Sequence, residues 1–206
     1  MADSEQCAVT LAITGASGAA LGRCALAMLA ADARVRRVDL VVSAHARRVA
    51  REELGLGEDV AGPDFPLRLL GAGAAGAAKI VSHDPANIGA SIASGSYPTA
   101  GMVVAPCSMG TLAAIAHGLS DNLIERAADV CLKERRPLLL AARETPLSLV
   151  HLRNMVAATE AGARIFPVIP AFYDRAADLQ ASLRQFVARM LAHLGLPQEG
   201  AFHWQG

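Results

Sequence analysis

Arg143 and Glu144 open the string RETP (143–146), which directly follows the apolar run PLLLAA (137–142). A carboxylate at a strand tip can give or take a proton, and the guanidinium beside it can orient that carboxylate or grip an anion bidentately. An ion pair closing the sheet edge accounts for the same pattern. Arg126, Lys133, Arg135 and Arg136 crowd a second segment. Arg126 and Lys133 are seven apart, so on a helix they project from nearly the same face. Two such cations can neutralise a substrate phosphate, although a solvated face would read alike. PAFY (170–173) adds an aromatic pair in which Tyr173 can donate to phosphate or simply cover the core.

A third group is built from small residues. LAITGASGAALG (11–22) carries Gly15, Ala16, Ser17 and Gly18 between an apolar run and a helical pattern. Such a turn exposes amides at a helix start, where an anion is favoured, or merely permits close packing. The spacing is neither TGxxxGxG nor GxGxxG. Tyr97 and Tyr173 are followed four places later by Gly101 and Ala177, so the YxxxK of a short-chain dehydrogenase is absent. The next strand ends VVS, at Ser43, without the acidic residue that holds an adenine ribose. A mononucleotide such as FMN suits the turn better than a dinucleotide. Ser91, Ser94, Ser96, Thr99, Ser108 and Thr111 surround another strand, where hydroxyls fit phosphate or flavin-edge contacts as well as turns and caps.

Other reactive types carry less. Cys107 has no base near it in sequence and reads as a buried structural thiol. The four cysteines lack CxxC or metal-ligand spacing, which suits reduced thiols. The histidines at 45, 83, 117, 151, 193 and 203 form no HExxH grouping and read as helix-surface or loop residues. Trp204, the single tryptophan, reads as a packing anchor or a contact to another subunit.

The elements that must hold these residues follow from the apolar runs. VTLAI (9–13), VDLVVS (38–43), GMVVAPCS (101–108), PLLLAA (137–142) and ARIFPVIP (163–170) predict strands. Their near-continuous apolar character predicts a parallel sheet covered on both faces. Helices are expected over 17–30 and 44–53, over 111–136 with a break near Gly118 and a second start capped by Asp121, and over 177–193. GAGAAGAAKI (71–80) reads as a loop or a weak helix. In a sheet of this kind ligands sit beyond the carboxyl ends of the strands. The Gly15–Gly18 turn, Ser43, Cys107–Ser108, Arg143–Glu144 and Phe172–Tyr173 all fall there.

The chain has 206 residues, 53% of them apolar, which supports one sizeable core and predicts a single domain over 1–206. Nineteen basic residues balance nineteen acidic ones, so bulk charge gives no case for nucleic acid or an anionic membrane. No apolar run nears the length of a membrane span, and MADSEQCAVTLAI lacks a basic leader, so a cytoplasmic location without membrane insertion is expected.

With these residues laid out, the chain closely resembles the bacterial flavin prenyltransferase family, formerly described as carboxy-lyase partner proteins or phenylacrylic acid decarboxylases. The resemblance runs nearly end to end. It rests on TGASG (14–18), VVSAHA (41–46), ASGS (93–96), PCSMGTLAAIAHG (106–118), DNLIERAADVCLKERRPLLL (121–140), RETPL (143–147), HLRNM (151–155), PAFY (170–173) and the terminal tryptophan. The long central block is the specific part.

The resemblance implies an α/β, Rossmann-like three-layer sandwich of the flavoprotein type with a mostly parallel sheet. It implies transfer of a dimethylallyl group from dimethylallyl monophosphate to reduced FMN, with bonds at N5 and C6, in a metal-independent reaction. The prenylated FMN serves a UbiD-like decarboxylase, in ubiquinone synthesis or a related pathway. It further implies a homo-oligomer, a dodecamer, with sites at subunit interfaces. By residue, it implies FMN contacts from Gly15, Ala16, Ser17, Ser43, Ser108, Met109, Thr111 and Arg143. Arg126, Lys133, Arg143 and Tyr173 form the phosphate clamp, with Ser94 and Ser96 nearby. Glu144 is the acid–base residue, Ser17, Lys133 and Glu53 belong to the catalytic group, and Trp204 lines the chamber across an interface. No DDxxD-like cluster is present to hold magnesium, in keeping with the family. Two other classes fit less well. An FMN-dependent cysteine decarboxylase would carry a PxMNxxMW-type motif where this chain has HLRNMVAA. A passive FMN-binding protein would not need Arg126, Lys133, Glu144 and Tyr173 together.

Overall fold

The computed structural model describes residues 6–57, 62, 64–71 and 73–203. Six strands, β1 (Cys7–Ile13), β2 (Val35–Val42), β3 (Ile80–His83), β4 (Met102–Cys107), β5 (Leu138–Ala142) and β6 (Arg164–Ile165), form one sheet in the order β3-β2-β1-β4-β5-β6. Every pairing in it is parallel. The helices are α1 (Ala19–Ala31), α2 (Ala44–Leu54), α3 (Phe65–Leu70), α4 (Met109–Ala116), α5 (Leu123–Lys133), α6 (Leu149–Glu160) and α7 (Leu179–Ala192).

Alternation along each strand divides the core into two apolar layers. Val38, Leu40, Val103, Leu139 and Ala141 pack with Leu26 and Leu29 of α1 and Val187 and Leu191 of α7. Val41, Met102, Val104, Leu138 and Leu140 face Leu112 of α4 and Ile124, Ala127 and Cys131 of α5. Both faces of β4 and β5 are therefore dry, which is why their sequences are unbroken apolar runs. Truncating Leu139 to alanine would cost about 2–5 kcal/mol through lost transfer energy and the cavity left behind. The result is a three-layer α/β/α sandwich.

The strand order places a topological switch point between β1 and β4. The chain leaves β1 toward β2 on one side, whereas β4 joins β1 from the other. A crevice outside the carboxyl ends of these two strands follows from that reversal, and mononucleotides settle in such crevices.

Several predicted boundaries shift. α1 starts at Ala19 rather than Ser17, because Gly18 takes φ 121° at the cap position. Asn122, not Asp121, caps α5: its Oδ1 accepts the N–H groups of Ile124 and Glu125 at 3.0 and 3.1 Å. The strand predicted over 163–170 is reduced to Arg164–Ile165, since Pro167 has no N–H for the ladder. Single bonds from Phe166 N to Leu140 O and from Val168 N to Ala142 O still hold the segment along β5. The 71–80 stretch ends in a 3-10 turn over Ala77–Lys79 that leads into the unpredicted edge strand β3. His83 lies on that strand against Asp39 and is neither a helix-surface nor a loop residue.

Candidate active site

Three loops meet at the switch point. After β1, the turn Gly15–Gly18 lies against the start of α2: a Cβ on Gly15 would sit 2.5 Å from His45 Cβ. Close packing therefore accounts for this glycine. The amides at the head of α1 are already used. Glu53, near the end of α2, accepts the N–H of Gly18 at 3.0 Å and of Ala19 at 2.7 Å. A carboxylate of the chain itself thus fills the anion position of this helix N-terminus. The expectation of an open phosphate cradle at GASG is corrected accordingly.

Burial alone would raise the Glu53 carboxyl. The Ser17 hydroxyl, the two amides and the Arg143 charge outweigh it and hold the group below the ordinary glutamate range. Arg143, just past β5, donates Nε to the Ser17 carbonyl at 3.0 Å, and its own N–H reaches Cys107 O. Glu144 follows, with Oε1 accepting the Thr145 N–H at 3.0 Å and lying 3.9 Å from Arg143 Nη1.

Two further helix starts at this end, those of α2 and α4, carry serines. Ser43 caps α2 by accepting Ala46 N–H, and Ser108 caps α4 by accepting Thr111 N–H. Ser108 Oγ also donates to Thr111 Oγ1 at 3.1 Å, and Ser108 N–H donates to the buried Thr14 hydroxyl at 2.8 Å. Met109 is the first residue of α4 and is buried. Two serine-capped helix N-termini and one guanidinium around the crevice form a donor set that fits the phosphate and ribityl hydroxyls of FMN. Gly15, Ala16, Ser17, Ser43, Glu53, Ser108, Met109, Thr111, Arg143 and Glu144 are thus brought to one end of the sheet.

The rest of the predicted clamp lies elsewhere. Lys133 ends α5, with four residues between it and the start of β5, whereas Arg143 follows the end of β5. The two are separated by the length of a strand, roughly 17–20 Å at 3.3 Å per residue. Lys133 pairs instead with Glu134, beside Gly95. Arg126, about 10 Å back along the helix, pairs with Asp129 at 2.7 Å and donates to Ala93 O. Ser94 and Ser96 are exposed in the same turn, their hydroxyls 2.9 Å apart. Arg126, Lys133, Ser94 and Ser96 therefore form a second cluster on the α5 flank. Tyr173 belongs to neither group. It sits in a groove of 710 Å³ between the β6 edge and α7, tilted against Phe202, with Arg189 Nη1 at 3.5 Å from its hydroxyl. A single chain does not unite the predicted clamp. Trp204 lies outside the described residues.

The sequence reading missed Arg189, a cation beside the candidate Tyr173. Its spacing from Tyr173 spans a helix start, so only the fold brings the two together. Among the described residues no group of three His, Cys, Asp or Glu side chains is arranged to hold a metal ion. None of their helices is long and apolar enough to cross a membrane.

Comparison with known proteins agrees with this architecture. A family model described as Flavoprotein matches residues 2–185. The flavin prenyltransferase UbiX of Escherichia coli is 46% identical over 196 residues, covering 94% of this chain and 96% of its own. Among solved structures, AnUbiX (PadA1), in complex with FMN and dimethylallyl pyrophosphate, superposes with a TM-score of 0.84 at 41% identity, over 98% of both chains. A dodecameric FMN-dependent UbiX-like decarboxylase from Escherichia coli O157:H7 gives 0.83 at 40% identity, over 97% of this chain and 100% of the other. With end-to-end identity at this level, the chain belongs to the flavin prenyltransferase family.

Proposed function

We propose that this chain, as a single domain, transfers a dimethylallyl group from dimethylallyl monophosphate to reduced FMN and supplies the prenylated FMN to a UbiD-like decarboxylase in the cytoplasm. The observation that carries this reading is the junction at the switch point, where Arg143 holds the Ser17 carbonyl, Glu53 accepts the Gly18 and Ala19 amides, and Glu144 lies beside Arg143. Reduced FMN supplies the nucleophilic N5 and C6 positions when bound. The chain's own residues do the rest. Ser43, Ser108 and Arg143 hold the flavin phosphate and side chain. Arg126 and Lys133 stabilise charge on the departing phosphate as the allylic C–O bond breaks and its electron pair leaves with oxygen. Glu144 would deliver a proton to that phosphate, and its carboxylate would then stand ready to take a proton up again. Ser17, whose carbonyl Arg143 holds beside the Glu53-capped start of α1, offers a hydroxyl for a second proton path.

The separation of Lys133 from Glu144 supports a homo-oligomer in which one site draws on more than one copy. The exposed face of α6 supports association too: Leu149, Val150 and Val156 are 60, 63 and 57% exposed. A dodecamer with Tyr173 at such junctions is the assembly that agrees with the family.

The test is anaerobic incubation of the protein with reduced FMN and dimethylallyl monophosphate, or the pyrophosphate in a parallel arm, followed by mass analysis of the extracted flavin. A flavin heavier by one prenyl unit is expected, and unmodified flavin alone in both arms overturns the activity. Mixed oligomers of Lys133→Ala and Glu144→Gln subunits should regain turnover that neither variant has alone. No recovery overturns the shared site.

A further inference from the structure

Asp39 is the most buried charged group of the molecule's described part, with no exposed surface, in the middle of β2. A carboxylate in that position needs full compensation. Its Oδ1 accepts Arg37 Nη2 at 2.7 Å and faces His83 Nε2 at 2.8 Å, and its Oδ2 accepts the Tyr97 hydroxyl at 2.7 Å. These partners belong to β2, to β3 and to the loop that runs into β4.

The Tyr97 end of this network bears on the second cluster. Tyr97 N–H donates to Ser94 O and closes the turn that contains Ser94, Gly95 and Ser96. From the opposite side Arg136 forks onto the same turn, with Nη1 on Tyr97 O at 2.9 Å and Nη2 on Gly95 O at 2.6 Å. The Tyr97 ring packs into the α5-side core. The turn is therefore gripped by its side chain from the sheet and by its carbonyls from the α5–β5 connection. What it leaves to solvent is the pair of serine hydroxyls, next to Lys133. Turn closure alone would not require a buried carboxylate on one side and a two-pronged arginine on the other.

We propose that Asp39 and Arg136 are positioning residues that, through Tyr97 and the turn backbone, fix the Ser94 and Ser96 hydroxyls for the phosphate of the allylic donor. The proposal rests on the reading above that this turn, with Arg126 and Lys133, receives that phosphate. A fixed turn meets the phosphate without first ordering itself, so the network acts on donor affinity and leaves bond breaking to other groups.

The experiment compares Tyr97→Phe, which keeps the ring and removes the hydroxyl, with Arg136→Lys, which keeps the charge and loses the fork. Both are checked for folding by circular dichroism and for FMN affinity by fluorescence titration. The expected result is a rise of about tenfold in KM for dimethylallyl monophosphate in each, with kcat within about twofold and FMN affinity unchanged. The inhibition constant of inorganic phosphate should rise in parallel. If either variant does not fold, the other carries the test. The Ser94→Ala/Ser96→Ala double variant separates the two levels of inference. A raised donor KM in the double variant, with none in the folded positioning variants, overturns the role of Asp39 and Arg136 alone. An unchanged donor KM and phosphate inhibition in the double variant overturns the turn as the phosphate site, and the positioning role with it.

Discussion

Arg143 Nε lies 3.0 Å from the carbonyl oxygen of Ser17, joining the tip of β5 to the turn after β1 across the end of β4. One guanidinium thus ties the two sides of the switch point, and its charge helps to hold the Glu53 carboxyl low. Lysine offers a single point charge and cannot serve both directions. Arg143→Lys is expected to weaken FMN binding about tenfold, near 1.4 kcal/mol, with little change in thermal stability because the side chain is part exposed. Fluorescence titration checks this, and an unchanged affinity would remove Arg143 from the flavin site.

Glu53 gives a pH signature. Its folded pKa lies below the unfolded value, so its stabilising contribution is complete above the unfolded pKa and is lost as pH falls through the folded one. Because the side chain is exposed, that contribution is small, about 1 kcal/mol or less after screening. Glu53→Gln should melt slightly below the natural protein at neutral pH, and the gap should close below about pH 4. Thermal melts across pH settle the matter. A gap that persists in acid would mean the carboxylate charge does not hold the α1 start.

Cys107 ends β4 inside the crevice region yet has no exposed surface, and burial pushes its thiol up to about 12. Burial does the same for Cys131. Neither forms a thiolate near neutrality, so neither is a nucleophile. Iodoacetamide should label the native protein first at the half-buried Cys7, and Cys107→Ala should retain prenyl transfer. Rapid alkylation of Cys107 in the folded protein would contradict this.

What the sequence made legible follows from burial. β1, β4 and β5 are dry on both faces and announce themselves as apolar runs, while β3 is short and half exposed after a glycine-rich stretch. α6 buries only Ala158, so it has no inward stripe to find. Ser43 and Ser108 were readable because each caps a helix, and Ser17, Arg143 and Glu144 because they lie in the turns that follow strands. The Glu53 bonds to Gly18 and Ala19 span more than thirty residues and were visible only in the fold. The same holds for the division of the clamp: seven-residue spacing puts Arg126 and Lys133 on one face, but only the direction of α5 against β5 puts Lys133 at the far edge from Arg143.

Gly95 and Gly76 should respond to alanine in opposite ways. A Cβ on Gly95 would come within 2.7 Å of Lys133 Nζ and would also strike Glu134 Oε1. Both are ends of flexible side chains, so the chain can yield without unfolding, but only by moving Lys133 away from the turn. Gly95→Ala is therefore expected to keep its melting temperature within about 2 °C while the KM for dimethylallyl monophosphate rises. At Gly76 φ is +78° and the added Cβ would strike the Ala30 carbonyl, which is helix backbone and cannot step aside. Gly76→Ala should lose on the order of 2–4 kcal/mol from strain and steric displacement together. Denaturant unfolding and steady-state kinetics on both variants decide the contrast. A Gly95→Ala protein that is destabilised yet binds donor normally would place Lys133 outside the phosphate site.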